Sequence, residues 1–158
     1  MLWAIDGTRT FRSPPRPEPS PVRTAAVYCS DGTITEHVDA FLLDGLKLPR
    51  CDRVMLPGGP ARLAGHAEET LRHDDIVAEL RFLIDAHELE RVILIQHEGC
   101  AYYRERLRVD EQEMPANQRT DLMRAASALR DATNVAAIDA YVARPDGDAM
   151  IFDAVAIQ

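Results

Sequence analysis

Four residues of this chain have the types and spacing for metal chemistry. Cys29 and Asp31 follow the apolar run Ala25-Ala26-Val27-Tyr28, and His97 and Cys100 follow Val92-Ile93-Leu94-Ile95-Gln96. Two thiolates and an imidazole are the soft and borderline donors that Zn²⁺ takes in tetrahedral geometry, and a carboxylate stands two residues from the first thiolate. Three protein ligands would leave one position open. Zinc with an open position lowers the pKa of water from about 15.7 to about 7, which gives hydroxide at neutral pH for attack on a small electrophile. The spacing of His97 and Cys100 lets both side chains point the same way where a strand turns into a helix. A helix start there favours the thiolate form of Cys100.

For residues so distant in sequence to meet, both motifs must leave a sheet at the same edge, which parallel strands of an α/β fold provide at their carboxyl ends. The chain alternates accordingly. A first strand is expected from Thr24 to Cys29. A helix beginning at Thr33 follows, with Thr33 and Glu36 as a capping box and Ile34, Val38, Phe41 and Leu42 on its apolar face. Arg53 to Leu56 reads as a short second strand ended by the turn Pro57-Gly58-Gly59-Pro60. Ile76, Leu80, Leu83 and Ile84 mark a second helix, and Arg91 to Gln96 a strand buried on both faces. A short helical stretch to about Arg108 precedes a helix from Pro115 to Arg130. Val135 to Val142 and Ala149 to Val155 flank Asp146-Gly147, a hairpin signal that makes the last strand antiparallel. The expected architecture is a single α/β domain with a mostly parallel central sheet of order 2-1-3-4 plus an antiparallel edge strand 5, flanked by helices.

These motifs resemble those of the β-class carbonic anhydrase family, which carries C-x-D-x-R after its first strand and H-x-x-C after its third. Cys29, Asp31, His97 and Cys100 match residue by residue. Thr33 stands where the family has Arg, and Ala101 where a Gly usually follows the second Cys. The motif-bearing part runs from about Ala25 to Leu107. The resemblance implies a Zn²⁺ cofactor held by Cys29, His97 and Cys100, and reversible hydration of carbon dioxide to bicarbonate by zinc-bound hydroxide. It also implies a homodimer or higher even oligomer, with Gly58 and Gly59 near the substrate pocket.

In that family the Asp corresponding to Asp31 either pairs with the Arg or swings onto zinc as a fourth ligand. Thr33 has no charge to hold the carboxylate away, and helix capping alone would explain it. The expectation is therefore a closed Cys29-Asp31-His97-Cys100 tetrahedron and weak hydration. Two alternatives stay open: a non-catalytic zinc protein, and a hydrolase of a related small molecule such as carbonyl sulfide or carbon disulfide.

Other signals are weaker. Cys100 and Arg106 have the C-x₅-R spacing of cysteine-dependent phosphatases, but Ala101-Tyr102-Tyr103-Arg104-Glu105 is too bulky for a loop whose amides converge on phosphate. Tyr102, Tyr103, Arg104 and Arg106 read as a mixed packing and solvent face. His37, His66, His73 and His87 have no partners in sequence and read as surface or partly buried residues. Cys51 reads as a small buried hydrophobe.

Composition bounds the remaining possibilities. The 158 residues suit one domain, and 46% hydrophobic with 28% charged residues is ordinary for a globular chain. A formal charge of −8 repels phosphate backbones, which disfavours nucleic acid as a partner. Three cysteines do not make a disulfide framework and suit a reducing compartment. With no apolar stretch of membrane-spanning length and no signal-like start, a cytoplasmic location and no membrane partner are the expectation. Pro14, Pro15, Pro17, Pro19 and Pro21 crowd one stretch, so residues 1–22 read as an extended arm and 23–158 as the domain. Leu2, Trp3, Ile5 and Phe11 are apolar enough to dock on a neighbouring subunit or on the domain itself.

Overall fold

A computed structural model describes residues 11–15, 20–67 and 73–157. The expected anchors Leu2, Trp3 and Ile5 lie outside these residues, while Phe11 is exposed. One sheet contains β1 (Thr24–Cys29), β2 (Asp52–Leu56), β3 (Arg91–His97), β4 (Ala137–Asp146) and β5 (Ala149–Val155) in the order β2-β1-β3-β4-β5. β1 pairs in parallel with β2 and β3, β3 pairs in parallel with β4, and β5 closes the edge antiparallel to β4. The expected order and the antiparallel edge are both present.

The central strands carry continuous apolar runs, Ala25 to Tyr28 and Val92 to Ile95, because helices cover both faces of the sheet. Ala25, Val27, Val92 and Leu94 point to one side, where they meet Ile76, Val77, Leu80 and Ile84 of α2 (His73–His87) and Leu122, Ala125, Ala126 and Leu129 of α3 (Met114–Ala132). Alternate residues Ala26, Tyr28, Ile93 and Ile95 point to the other, against Val38 of α1 (Thr35–Ala40) and Leu42 of the π turn that prolongs it. Cys29 and Cys100 belong to this second cluster. Cys51 packs against it, partly buried.

Two local expectations need correction. The first helix does not start at Thr33: α1 begins at Thr35, with Ile34 at the cap position and no side-chain capping bond. The Thr33 hydroxyl is spent instead on Asp31, a local competition typical of Thr and Asp near helix starts. β4 runs on to Asp146, which pairs with Ala149, so the hairpin loop is Gly147-Asp148, one residue later than expected. Arg144 and Pro145 remain in register with Ile151 and Met150 because an edge hairpin tolerates a proline. No described helix is long and apolar enough to cross a membrane.

Candidate metal centre

Parallel pairing sets Tyr28 beside Ile95, so β1 and β3 end at the same edge of the sheet. Cys29 is the last residue of β1 and His97 the last of β3. Gly99 then takes φ +70°, a left-handed turn that most residues resist, and returns the chain so that Cys100 lies beneath the strand ends. The ligand atoms of Cys29, His97 and Cys100 lie within 4.8 Å of one another, and all three residues are buried. The two sulfurs are 3.9 Å apart.

Hydrogen bonding fixes the tautomer of His97. Its Nδ1 is 2.9 Å from the Glu98 carbonyl oxygen. A carbonyl only accepts, so Nδ1 carries the proton and Nε2 keeps its lone pair. Nε2 is buried and has no hydrogen-bond partner among the described residues, in a residue only 2% exposed. An orphaned imidazole lone pair beside two thiols is a polar group that burial penalises and a metal would satisfy.

The thiols share a proton unequally. Contact with the Cys100 thiol, helped by His97 and the Gly58 amide, pulls Cys29 down to about 4 against the opposing effect of burial. The same contact and burial push Cys100 up. A soft donor set in which one thiol is biased toward its thiolate fits Zn²⁺.

Gly58 and Gly59 serve this sulfur. The Gly58 amide donates to Cys29 Sγ at 3.4 Å. A Cβ on Gly59 would come within 2.7 Å of the Cys29 nitrogen, and one on Gly58 within 2.4 Å of the Tyr102 ring. Only glycine lets this turn lie so close to the end of β1. Both glycines are buried, and neither lines the 260 Å³ cavity beside the centre.

Asp31 stands outside the three-donor group. Its Oδ1 accepts two hydrogen bonds from Thr33, one from the backbone N–H at 2.8 Å and one from the hydroxyl at 2.7 Å. Thr33, with His97 adding a smaller effect, holds this carboxyl below its ordinary range. An uncharged residue therefore hydrogen-bonds the carboxylate at the position where the resembling family has Arg. Asp31, Thr33 and His37 line one side of the 260 Å³ cavity, His97 to Gly99 another, and the β4–β5 hairpin from Gly147 to Met150 a third. Its charged lining groups are Asp31, Glu98 and Asp148, all acidic.

Behind the centre lies a polar layer that sequence reading passed over. Gln96, Gln118 and Asp121 are at most 2% exposed. Gln118 donates to the His97 carbonyl oxygen at 2.7 Å. Gln96 donates to the Tyr103 hydroxyl at 2.9 Å, and that hydroxyl donates to Asp121 Oδ2 at 2.5 Å. His66, read from sequence as an ordinary histidine, meets the same oxygen through Nε2 at 2.8 Å. The available signal was positional: Gln118 and Asp121 occupy the same buried face of α3 as Met114, Leu122, Ala125 and Leu129. Tyr102 and Tyr103 are buried while Arg104 and Arg106 are exposed, the mixed face expected of that segment.

No protein-family model and no curated sequence matches the chain. Among solved structures, β-carbonic anhydrase isoform I (TvaCA1) of Trichomonas vaginalis aligns with a TM-score of 0.56 at 14% identity, over 89% of this chain and 87% of its own. The β-carbonic anhydrase CcaA aligns with a TM-score of 0.53 at 13% identity, over 87% of this chain and 78% of its own. The chain thus has a divergent β-carbonic anhydrase-like fold, with a Cys-His-Cys group brought together within it.

Proposed function

We propose that the chain is a zinc protein that hydrates carbon dioxide reversibly to bicarbonate, with Cys29, His97 and Cys100 as metal ligands. The fold likeness and the convergence of three buried donors support the metal; the chemistry rests on Asp31. The observation that favours an open centre over a closed Cys₂-His-Asp one is the pair of hydrogen bonds from Thr33 to Asp31 Oδ1. Bonds to a charged acceptor contribute about 1.5–3 kcal/mol when sheltered, and less at an exposed site such as this. Zinc held by the three donors would lower the pKa of a water molecule to about 7 and supply a nucleophile at neutral pH. Both Thr33 bonds fall on Oδ1, so Oδ2 is the atom that would accept a hydrogen bond from that nucleophile and orient it. An acidic cavity suits an uncharged substrate, carbon dioxide or carbonyl sulfide, better than an anion. The buried Gly58 and Gly59 act on the pocket indirectly, through the Cys29 sulfur.

Stopped-flow hydration assays with metal analysis test this reading. The wild type should carry one zinc per chain and accelerate hydration. Cys29→Ser should lose both, and Thr33→Val should keep zinc but hydrate more slowly as Asp31 closes on the metal. A wild type fully loaded with zinc and without activity would mean the closed, non-catalytic alternative. We also propose a homodimer or higher even oligomer, with residues 1–22 as an arm on the 23–158 domain and a cytoplasmic setting. A monomer by light scattering at micromolar concentration would overturn the assembly.

A further inference from the structure

The polar layer behind the centre joins β3, the segment after Cys100 and the stretch 58–66 that approaches Cys29. Gln96 and His97 are neighbours on β3, and the Gln118 side chain holds the His97 carbonyl. Tyr103 lies three residues beyond Cys100 and joins Gln96 to Asp121. His66 ends the stretch that begins with Gly58, whose amide meets the Cys29 sulfur, and it too binds Asp121. Gln118 and Asp121 are one turn apart on α3. Asp121 Oδ2 thus meets Tyr103 and His66 directly and reaches Gln96 through Tyr103, while Gln118, one turn before it on α3, holds His97.

A purely packing role does not account for this layer. Four side chains with polar atoms are 0–2% exposed here, at positions where apolar residues would fill the same volume without a desolvation cost. Their value is geometric: hydrogen bonds between particular atoms fix distances that apolar packing leaves adjustable, even though Gln96 Oε1 and Gln118 Oε1 find no partner among the described residues. The Asp121 carboxylate is 2% exposed, and its imidazole partner His66 keeps only 19% of its side-chain surface in water. Removing one member of such a buried set strands the others.

We infer that Asp121, through Tyr103, His66 and its helix neighbour Gln118, is a positioning residue that sets the spacing of the three metal donors. The inference rests on the zinc reading proposed above. Groups that orient metal ligands without touching the metal change its affinity by about 10–100-fold when removed.

The test measures zinc affinity by competition with a chromophoric chelator, and the visible spectrum of the cobalt(II)-loaded protein, whose bands report the angles and distances of thiolate and imidazole ligands. Asp121→Asn and Tyr103→Phe should each weaken zinc binding about 10–100-fold and shift the cobalt bands. Asp139→Asn breaks the Arg91 pair near the opposite end of β3 and should leave both readouts unchanged. If Asp121→Asn fails to fold, Tyr103→Phe decides, since it removes one oxygen and keeps the ring. Variants that bind zinc within twofold of wild type and give its cobalt spectrum, whatever their melting temperatures, overturn the inference. A wild type that binds neither metal overturns the zinc reading and this inference with it.

Discussion

The two ends of the parallel sheet handle polar groups in opposite ways. At the amino end, polar pairs keep contact with water: Arg91 with Asp139 at 2.5 Å, His87 with Asp52 at 2.6 Å, and Arg23 with Glu88 at 3.5 Å, the last pair largely exposed. At the carboxyl end Gln96, His97, Gln118 and Asp121 are at most 2% exposed and bond to one another's segments. Exposed pairs contribute about 0–1 kcal/mol each, because water solvates either partner almost as well. A buried polar group has no such alternative, so losing its partner costs about 1–3 kcal/mol. One end can change without consequence, and the other cannot.

The sharpest way to break this contrast is to remove a donor. Cys29→Ser or His97→Ala should bring zinc from one per chain to background by elemental analysis, whereas Arg91→Ala should keep full loading. Equal zinc in all three proteins would mean that the carboxyl end is not a metal centre. Next in size is Gln118→Ala, which deprives the His97 carbonyl of its donor and should lower the unfolding free energy in urea by about 1–3 kcal/mol. An unchanged midpoint would show that water replaces the amide, and the buried end would then behave like the exposed one.

A subtler effect belongs to Asp31. Its folded-state pKa is depressed by Thr33, so the associated stability is fully present above the unfolded value of about 3.9 and is lost as pH falls through the folded one. Thr33→Val removes the hydroxyl and should raise the Asp31 titration midpoint toward the ordinary value in a carboxyl-carbon NMR titration. The variant should also show a flatter dependence of stability on pH below about 4. A midpoint that stays put would assign the depression to the Thr33 amide and to His97. The smallest effect is expected at the amino end: Arg91→Ala should shift stability by less than about 1 kcal/mol, and less still at high salt.

The linear order of residues determined more of the fold than of the centre. Continuous apolar runs at Ala25 to Tyr28 and Val92 to Ile95, separated by helical periodicity, are enough to require parallel strands covered on both faces, because no other arrangement buries them. Cys29, His97 and Cys100 were legible because few combinations of strand-end residues supply thiolate and imidazole together. Local hydrogen bonding was not legible: Thr33 has a capping pattern, and only the conformation of the turn decided that its hydroxyl goes to Asp31. Both uses satisfy one donor and one acceptor, so sequence pattern does not separate them.

Tertiary structure alone decided the polar layer. Gln96, Tyr103, Gln118, Asp121 and His66 come from four separate segments, and none has a local spacing that announces the others. A hydrogen bond depends on distance and angle between atoms, and those are set only once α3 has packed on the sheet beside the 3-10 turn Gly59–Leu63. Sequence could name the donors because a donor's chemistry belongs to its own side chain. It could not name what holds them, because holding is a property of the packed interior.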